Sequence, residues 1–432
     1  MVSSRRYDCG SRFVYGTNPI MRNALLCLFT LLIVATTFAQ APEQHYEVTV
    51  TTIDVWVKVT DKSGKPIEGL TQADFQILED GQPVQSTCFE EVKLPSAQSQ
   101  AIAAGTEAPT EIPAKKFVIF LDLFNTSPPE FLYIKPKILE FLKKFEGSGR
   151  QIMLAGILPN RNMGVFSPFT TDVSKITDLI EKAQANTLRD VNVDSHETDL
   201  RRILTGGGDG KAGVSEIIRQ GYQTADSYSK LDSENTKFSL AALDRFGSFL
   251  AKQSQSDHMV VLYLSGGFSS DPGRRYFDIV DRAVEDMREQ IQDADQVVFR
   301  ETSQFNFDRA LEDSIGRMNK LNITLYTINT RGLIATDPGY SKQHLTRTAV
   351  DTQALKEFGD SLMALASETG GTSFNNSQNF KLGFNNVLMD LSQQYLLCYS
   401  APQHKQPGQY HKIKVTVKQQ DLDIRARNGY ID

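Results

Sequence analysis

The sequence predicts an α/β fold: a doubly wound, mostly parallel sheet inserted into a β-sandwich that both ends of the chain build. Three observations predict it. Between Lys115 and about Gln394, apolar runs of strand length alternate with helical periodicities, as in a parallel sheet covered on both faces. Residues 46–93 and 395–432 instead alternate apolar and polar side chains between short turns, as sandwich strands do. The runs FVIFLDLFNTS (117–127) and HMVVLYLSGGFSS (258–270) end in polar groups. Buried parallel strands deliver such groups to the sheet rim where α/β folds place ligand sites.

With 432 residues the chain exceeds the roughly 250–300 at which a single core stops growing, so two domains and a leader are expected. The leader is residues 1–39. Met21-Arg22-Asn23 precedes ALLCLFTLLIVATTFA, a basic start and an apolar run ending in small residues, which is the pattern of an export signal. Thr37 and Ala39 suit the cleavage positions, placing the cut before Gln40, and the residues ahead of Met21 over-extend the basic region. The competing reading is an uncleaved anchor, but the apolar run is shorter than the ~20 residues a spanning helix needs. Removing four arginines and one aspartate with the leader takes the formal charge from −6 to −9. So acidic a chain, with no basic run and interleaved aromatics, is not a nucleic-acid binder. The expected location is the periplasm or the exterior. Cys9 and Cys27 leave with the leader, so Cys88 and Cys398 remain. In an oxidising compartment they either form a disulfide or pack as two buried thiols.

The first sandwich segment, 46–93, places Val48, Val50, Ile53, Val55, Val57 and Val59 in near period two, then turns at Asp61 to Pro66, a β-hairpin signal. FQILEDGQPVQSTCFEEV adds two strands around Asp80-Gly81. Alone these strands are too few to close a sandwich. The second segment, 395–432, supplies YLLCYSA, YHKIKVTVK and LDIRARNGYI. Residues 94–114, rich in Ala, Pro, Ser and Gly, read as a linker.

The α/β domain, 115–394, has strand candidates FVIFLD, QIMLAGIL, MGVFSPF, HMVVLYL, NITLYTI and a short SFNN. Helical stretches lie between them. QIMLAGIL and MGVFSPF are too close for a helical crossover and must pair antiparallel at an edge. Residues 187–235 read as a helical insertion. Its Gly206 to Lys211 stretch fails as a phosphate loop, because Thr205 and Ala212 occupy positions that require Gly and Ser or Thr. The polar loop 330–352 reaches the ligand edge.

FVIFLDLFNTS, VVLYLSGG, NITLYTINTRGL and LASETGGTSFNN together resemble a von Willebrand factor type A (VWA) domain. With the alternating start and the closing IRARNGY, the mature chain is similar to exported bacterial VWFA-related proteins of acidobacterial type. The resemblance implies a Rossmann-like sheet and a binding role. It also implies a metal-ion-dependent adhesion site, where Asp-x-Ser-x-Ser, a Thr and a further Asp hold Mg²⁺ through hard oxygen ligands and leave one position for a partner's carboxylate. Here Asp122 and Thr126 match the first loop, with Phe124 in the place of a serine. The third-loop Asp corresponds to Gly266, leaving Ser265 as the nearby oxygen. Thr236, at an expected helix start, is either the second-loop ligand or an N-cap. Asp122, Thr126 and Ser265 thus form a degenerate set in which an apolar ring would crowd any ion. The expectation is no cofactor, with Mg²⁺ as the alternative.

Asp-x-Phe-x-Thr also resembles the Asp-x-Asp-x-Thr of haloacid-dehalogenase-type phosphatases, but Phe124 stands where the acid/base Asp must be. The six histidines form no metal-ligand spacing; His258 reads as part of a solvated turn and Trp56 as sandwich core. The resulting expectation is a non-enzymatic interaction or scaffold protein. An unknown protein partner in the envelope or outside would dock on a rim comprising Asn125, Ser127, Phe268, Ser269 and Asp271, with no nucleic acid and no stable membrane span.

Overall fold

The computed structural model describes residues 51–93, 116–185, 189–205, 213–253, 258–287, 305–333, 349–375, 380–402 and 408–431. The leader, the linker at 94–114, the glycine-rich stretch 206–212 and residues 334–348 of the polar loop lie outside the described residues. The elements run β1 (Thr52–Thr60), β2 (Phe75–Glu79), β3 (Gln82–Val84), β4 (Ser86–Lys93), β5 (Lys116–Asp122), α1 (Pro128–Lys143), β6 (Gln151–Ile157) and β7 (Met163–Thr170). There follow α2 (Val173–Lys182), α3 (Arg189–Leu204), α4 (Val214–Gln253), β8 (Met259–Ser265), α5 (Arg274–Asp286), α6 (Asp308–Lys320), β9 (Ile323–Asn329) and α7 (Ala349–Glu368). The chain closes with β10 (Ser373–Phe374), α8 (Phe380–Ser392), β11 (Gln393–Ser400), β12 (Tyr410–Val417), β13 (Asp423–Arg425) and β14 (Gly429–Ile431).

The central sheet has six strands in the order β10-β9-β8-β5-β6-β7, parallel except for β7, which pairs antiparallel with β6 at the edge as expected. Strand β5 is apolar throughout because both its faces are covered. Phe117, Ile119 and Leu121 meet Phe131, Ile134 and Ile138 of α1 and Phe384 and Val387 of α8 on one side. Val118 and Phe120 meet Leu243 and Phe246 of α4 and Leu365 of α7 on the other. Burying each large side chain contributes about 1.5–3 kcal/mol, so the two clusters dominate the domain's stability.

The expected insertion differs in its boundary. No break separates it from the next helix, since α4 is one helix of 40 residues. Small buried residues recur along it at helical spacing, Gly221, Ala225, Ser229, Ser233, Thr236 and Ser239, so one face stays packable from end to end. Thr236 therefore lies inside a helix and is not an N-cap.

The sandwich pairs two antiparallel four-stranded sheets, β13-β1-β11-β4 and β14-β12-β2-β3, drawn from both ends of the chain. Ile53, Val55, Val57 and Val59 fill its core with Ile77, Leu397, Tyr399, Ile413 and Val415. The hairpin expected after β1 stops at one bridge, Thr60 to Pro66, flanked by the Asp61 N–H on the Lys65 carbonyl and the Ile67 N–H on the Val59 carbonyl, each at 2.9 Å. Strand β1 pairs with β11 and β13 instead. The Asp80-Gly81 turn does make a hairpin, with φ of 50° and 81° joining β2 to β3. Cys88 and Cys398 lie opposite each other in β4 and β11 and are bridged, with Cα atoms 4.9 Å apart.

The other face of β1 abuts the α/β part, and two expectations change there. Trp56 is not sandwich core: alternation turns it away from Val55 and Val57, and it stacks on His258 at 4.5 Å between centroids. His258 is accordingly no solvated turn; its Nε2 lies 2.9 Å from Thr324 Oγ1. Lys58, also on this face, sits 2.7 Å from Asp390 of α8. The closing IRARNGY acts as a clasp. Arg425 donates to both Asp390 oxygens at 2.7 and 2.9 Å, Arg427 to the carbonyls of Asp54 and Asn319, and Asn428 Nδ2 to Glu368 at 2.8 Å. Among the described residues no helix is long and apolar enough to cross a membrane.

Candidate functional site

Asp122 ends β5 with its carboxylate 1% exposed, enclosed by hydrogen-bond donors. Oδ1 accepts from the Asn125 backbone N–H at 2.8 Å. Oδ2 accepts from Asn125 Nδ2, Tyr263 Oη and Ser265 Oγ, each at 2.7 Å. Strand register explains the convergence. Phe120 pairs with Tyr263 on β8, so Tyr263 and Ser265, two residues apart, point to the same face toward the end of β5. Asn125 Nδ2 donates in addition to Ser239 Oγ of α4 at 2.8 Å, and Ser265 Oγ accepts the Gly267 N–H at 2.9 Å. Oδ2 is thus saturated by the protein's own donors, and Oδ1 is engaged by the Asn125 N–H.

The neighbouring positions close the site further. The Thr126 hydroxyl lies 3.2 Å from that of Thr330. Ser127 caps α1, and its N–H donates to Glu130 Oε2 at 2.8 Å. A Cβ added at Gly266 would lie 2.2 Å from the Asn125 carbonyl oxygen and 2.7 Å from Arg331 Nε, so this backbone has no room for the missing aspartate. The Arg331 guanidinium stacks on Phe358 at 4.0 Å, placing a fixed positive charge beside Gly266. Thr236 Oγ1 donates to the Ser269 carbonyl at 2.8 Å and fastens loop to helix. Phe124 packs edge-on against Phe238 at 5.4 Å and beneath the Arg161 guanidinium, so it is part of the α4-side core rather than a ring crowding an ion. Among the described residues no group of three His, Cys, Asp or Glu side chains is placed to hold a metal ion. Asp122, Thr126 and Ser265 are thus brought to one rim, but the donor set does not fit Mg²⁺, which requires several free oxygen ligands.

The rim residues Asn125, Ser127, Phe268 and Ser269 are all buried, while Asp271 is partly exposed. Helix α7 covers the second loop: Phe268 N–H donates to Ser361 Oγ at 3.4 Å and Ser269 Oγ to Glu357 at 3.3 Å. Burial raises the Asp271 carboxyl above its ordinary value against the opposing charge of Arg274. Of the polar loop, only Thr330 to Leu333 and residues 349–352 are described. Sequence reasoning missed Tyr263, Ser239 and Arg331. The signal for Tyr263 was a phenol interrupting an aliphatic strand at the same parity as Ser265; nothing local marked Ser239 or Arg331.

No family model matches the chain, and neither does any curated protein. Among solved structures it is similar to the three N-terminal domains of the type V pili tip protein Mfa5 from Porphyromonas gingivalis, at 9% identity and a TM-score of 0.31 over 89% of this chain and 69% of that one. At that score the likeness does not define a shared fold and has no bearing on function.

Proposed function

We propose that this chain is an exported, non-enzymatic protein-interaction or scaffold module whose VWA-like domain works without a metal ion. The observation that carries the reading is the closure of Asp122 by Asn125, Tyr263 and Ser265. A carboxylate so enclosed neither ligates a hard cation nor reaches a substrate. The blocked Gly266 position and the Arg331 charge support the same reading. Export accords with the Cys88–Cys398 bridge, since disulfides persist in oxidising compartments. The partner is a protein of the envelope or the exterior.

The test is isothermal titration of the intact protein with Mg²⁺ and Mn²⁺, beside partner capture from the envelope fraction with and without EDTA. No heat of binding and EDTA-insensitive capture are expected. Micromolar binding abolished by Asp122→Ala would restore the metal-dependent alternative, and turnover of p-nitrophenyl phosphate would restore the phosphatase.

A further inference from the structure

Of the side chains expected to meet a partner at the rim, all but Asp271 are buried, yet an exposed apolar surface lies next to them. Leu132 is 66% exposed and Tyr133 40% exposed, both in α1 immediately after the Asp122 loop, and Leu382 of α8 is 54% exposed. Helices α1 and α8 pack side by side through Phe141 on Phe384 at 4.7 Å and Tyr133 on Phe380 at 6.1 Å, which sets Tyr133 and Leu382 on neighbouring outer surfaces. Among the described residues the other large exposed apolar side chains, Leu231, Met363 and Tyr410, are scattered over separate elements. Single exposed leucines need no explanation, but a grouping on adjacent helices does.

The charge around this surface runs against that of the whole chain. Lys137, Lys143 and Lys381 lie on these two helices with Glu140, in a protein of formal charge −6, while Lys135 is turned to the Glu181 and Ala183 carbonyls and Lys144 to Asn385. Glu130, the other acid of α1, is buried against the Ser127 cap. Lys381 and Glu140 are 3.5 Å apart and both well exposed, an ion pair of the kind that contributes little and is readily exchanged. Lys137 lies 3.2 Å from the Tyr133 ring centroid, which keeps a cation at the edge of the apolar surface.

We infer that the α1–α8 face, rather than the strand-end loops, docks an acidic amphipathic segment of a partner protein. Its apolar side chains would cover Leu132, Tyr133 and Leu382 while its carboxylates meet Lys143 and Lys381. This inference rests on the interaction-module reading and assigns that reading its surface. Charge complementarity selects an acidic partner over a basic one, and helix-in-groove recognition supplies the geometry.

The test uses the full mature chain and two labelled amphipathic peptides of about 15 residues, long enough to form a helix. One has leucines on one face and glutamates on the other; the second has lysines in place of the glutamates. Fluorescence anisotropy should detect the glutamate peptide. Leu132→Asp, Leu382→Asp and the pair Lys143→Glu with Lys381→Glu should each weaken it by about tenfold or more, while Leu231→Asp leaves it unchanged. Circular dichroism melts of these surface variants separate lost binding from lost folding. Equal binding of the lysine peptide, indifference to the variants, or no binding overturns the inference. So does sedimentation with phosphatidylglycerol vesicles in place of peptide binding, or a concentration-dependent dimer abolished by Leu382→Asp. Repeating the wild-type titration in EDTA keeps the two readings apart: loss of binding there counts against the metal-free reading and leaves the α1–α8 surface standing.

Discussion

Asp122 was visible in the sequence as a lone carboxylate at the end of an apolar strand, and Phe124 and Gly266 marked where the chain departs from the adhesion-site pattern it resembles. The structure adds the reason the carboxylate persists: it gathers donors from the neighbouring strand β8 and from the loop that follows β5. Asp122→Ala should therefore destabilise the protein, because Tyr263, Ser265 and Asn125 would be left buried without their acceptor, at ~1–3 kcal/mol for each unsatisfied group. Urea unfolding measures this, and a variant as stable as wild type would remove the structural role. Gly266→Asp should not rebuild a metal site but should lower the melting temperature, since its Cβ would strike the Asn125 carbonyl. Mg²⁺ that restores the melting temperature of that variant would contradict the prediction. His258 is a second residue whose role appears only in three dimensions. Burial chiefly, with help from Arg427, pushes its pKa down to about 3 from 6.5. A depressed folded pKa means the unfolded chain takes up protons first, so stability contributed above pH 6.5 drains away as pH falls toward about 3. The melting temperature of wild type should fall from pH 7 to pH 5 more steeply than that of His258→Gln.

At the scale of elements, periodicity made the parallel strands and most helices legible, because a strand buried on both faces and a helix with one apolar stripe leave distinct patterns. The antiparallel β6–β7 edge followed from loop length alone. What the pattern did not reveal was partnership. Nothing near β1 says that its neighbours are β11 and β13, and the Asp61 turn pointed to the wrong one. Nor does a polar helix such as the start of α4 disclose that it runs unbroken into an apolar half. The face of β1 turned away from the sandwich was equally opaque: Trp56 read as sandwich core, and nothing local marked Lys58 as buried. Lys58 and Arg425 meet Asp390 of α8 and, against the desolvation that would raise it, hold that carboxyl below its ordinary value. The sign follows: the contribution is present above the unfolded carboxylate range, near pH 4, and is lost as pH falls through the lower folded value. Asp390→Asn should cost about 3–5 kcal/mol near neutral pH by leaving Lys58 buried without its counter-charge, and should flatten the acid limb of the stability profile. A variant whose acid limb matches that of wild type would show that another group governs it.

Over the whole molecule, both ends of the chain converge on one sandwich, and two devices hold them there. The Cys88–Cys398 bridge spans a sequence separation of 310 and joins neighbouring strands from the two ends. In the chain-entropy account, closing so long a loop limits the unfolded ensemble by about 5 kcal/mol. The clasp of Arg425, Arg427 and Asn428 acts in the folded state, where it ties the sandwich to the ends of α6, α7 and α8. These two devices act on different states, so their removal should leave different signatures. Cys88→Ser with Cys398→Ser should lower the urea midpoint and, by releasing the unfolded chain, raise the denaturant slope. Arg427→Met should lower the midpoint with the slope unchanged, because it removes contacts to the Asp54 and Asn319 carbonyls without altering the unfolded chain's connectivity. Adding reductant to wild type should reproduce the first signature and leave the double-cysteine variant unaffected. If reduction moved neither midpoint nor slope, the bridge would not be what secures the two ends, and the clasp together with the shared core of Val55, Val57 and Leu397 would have to suffice.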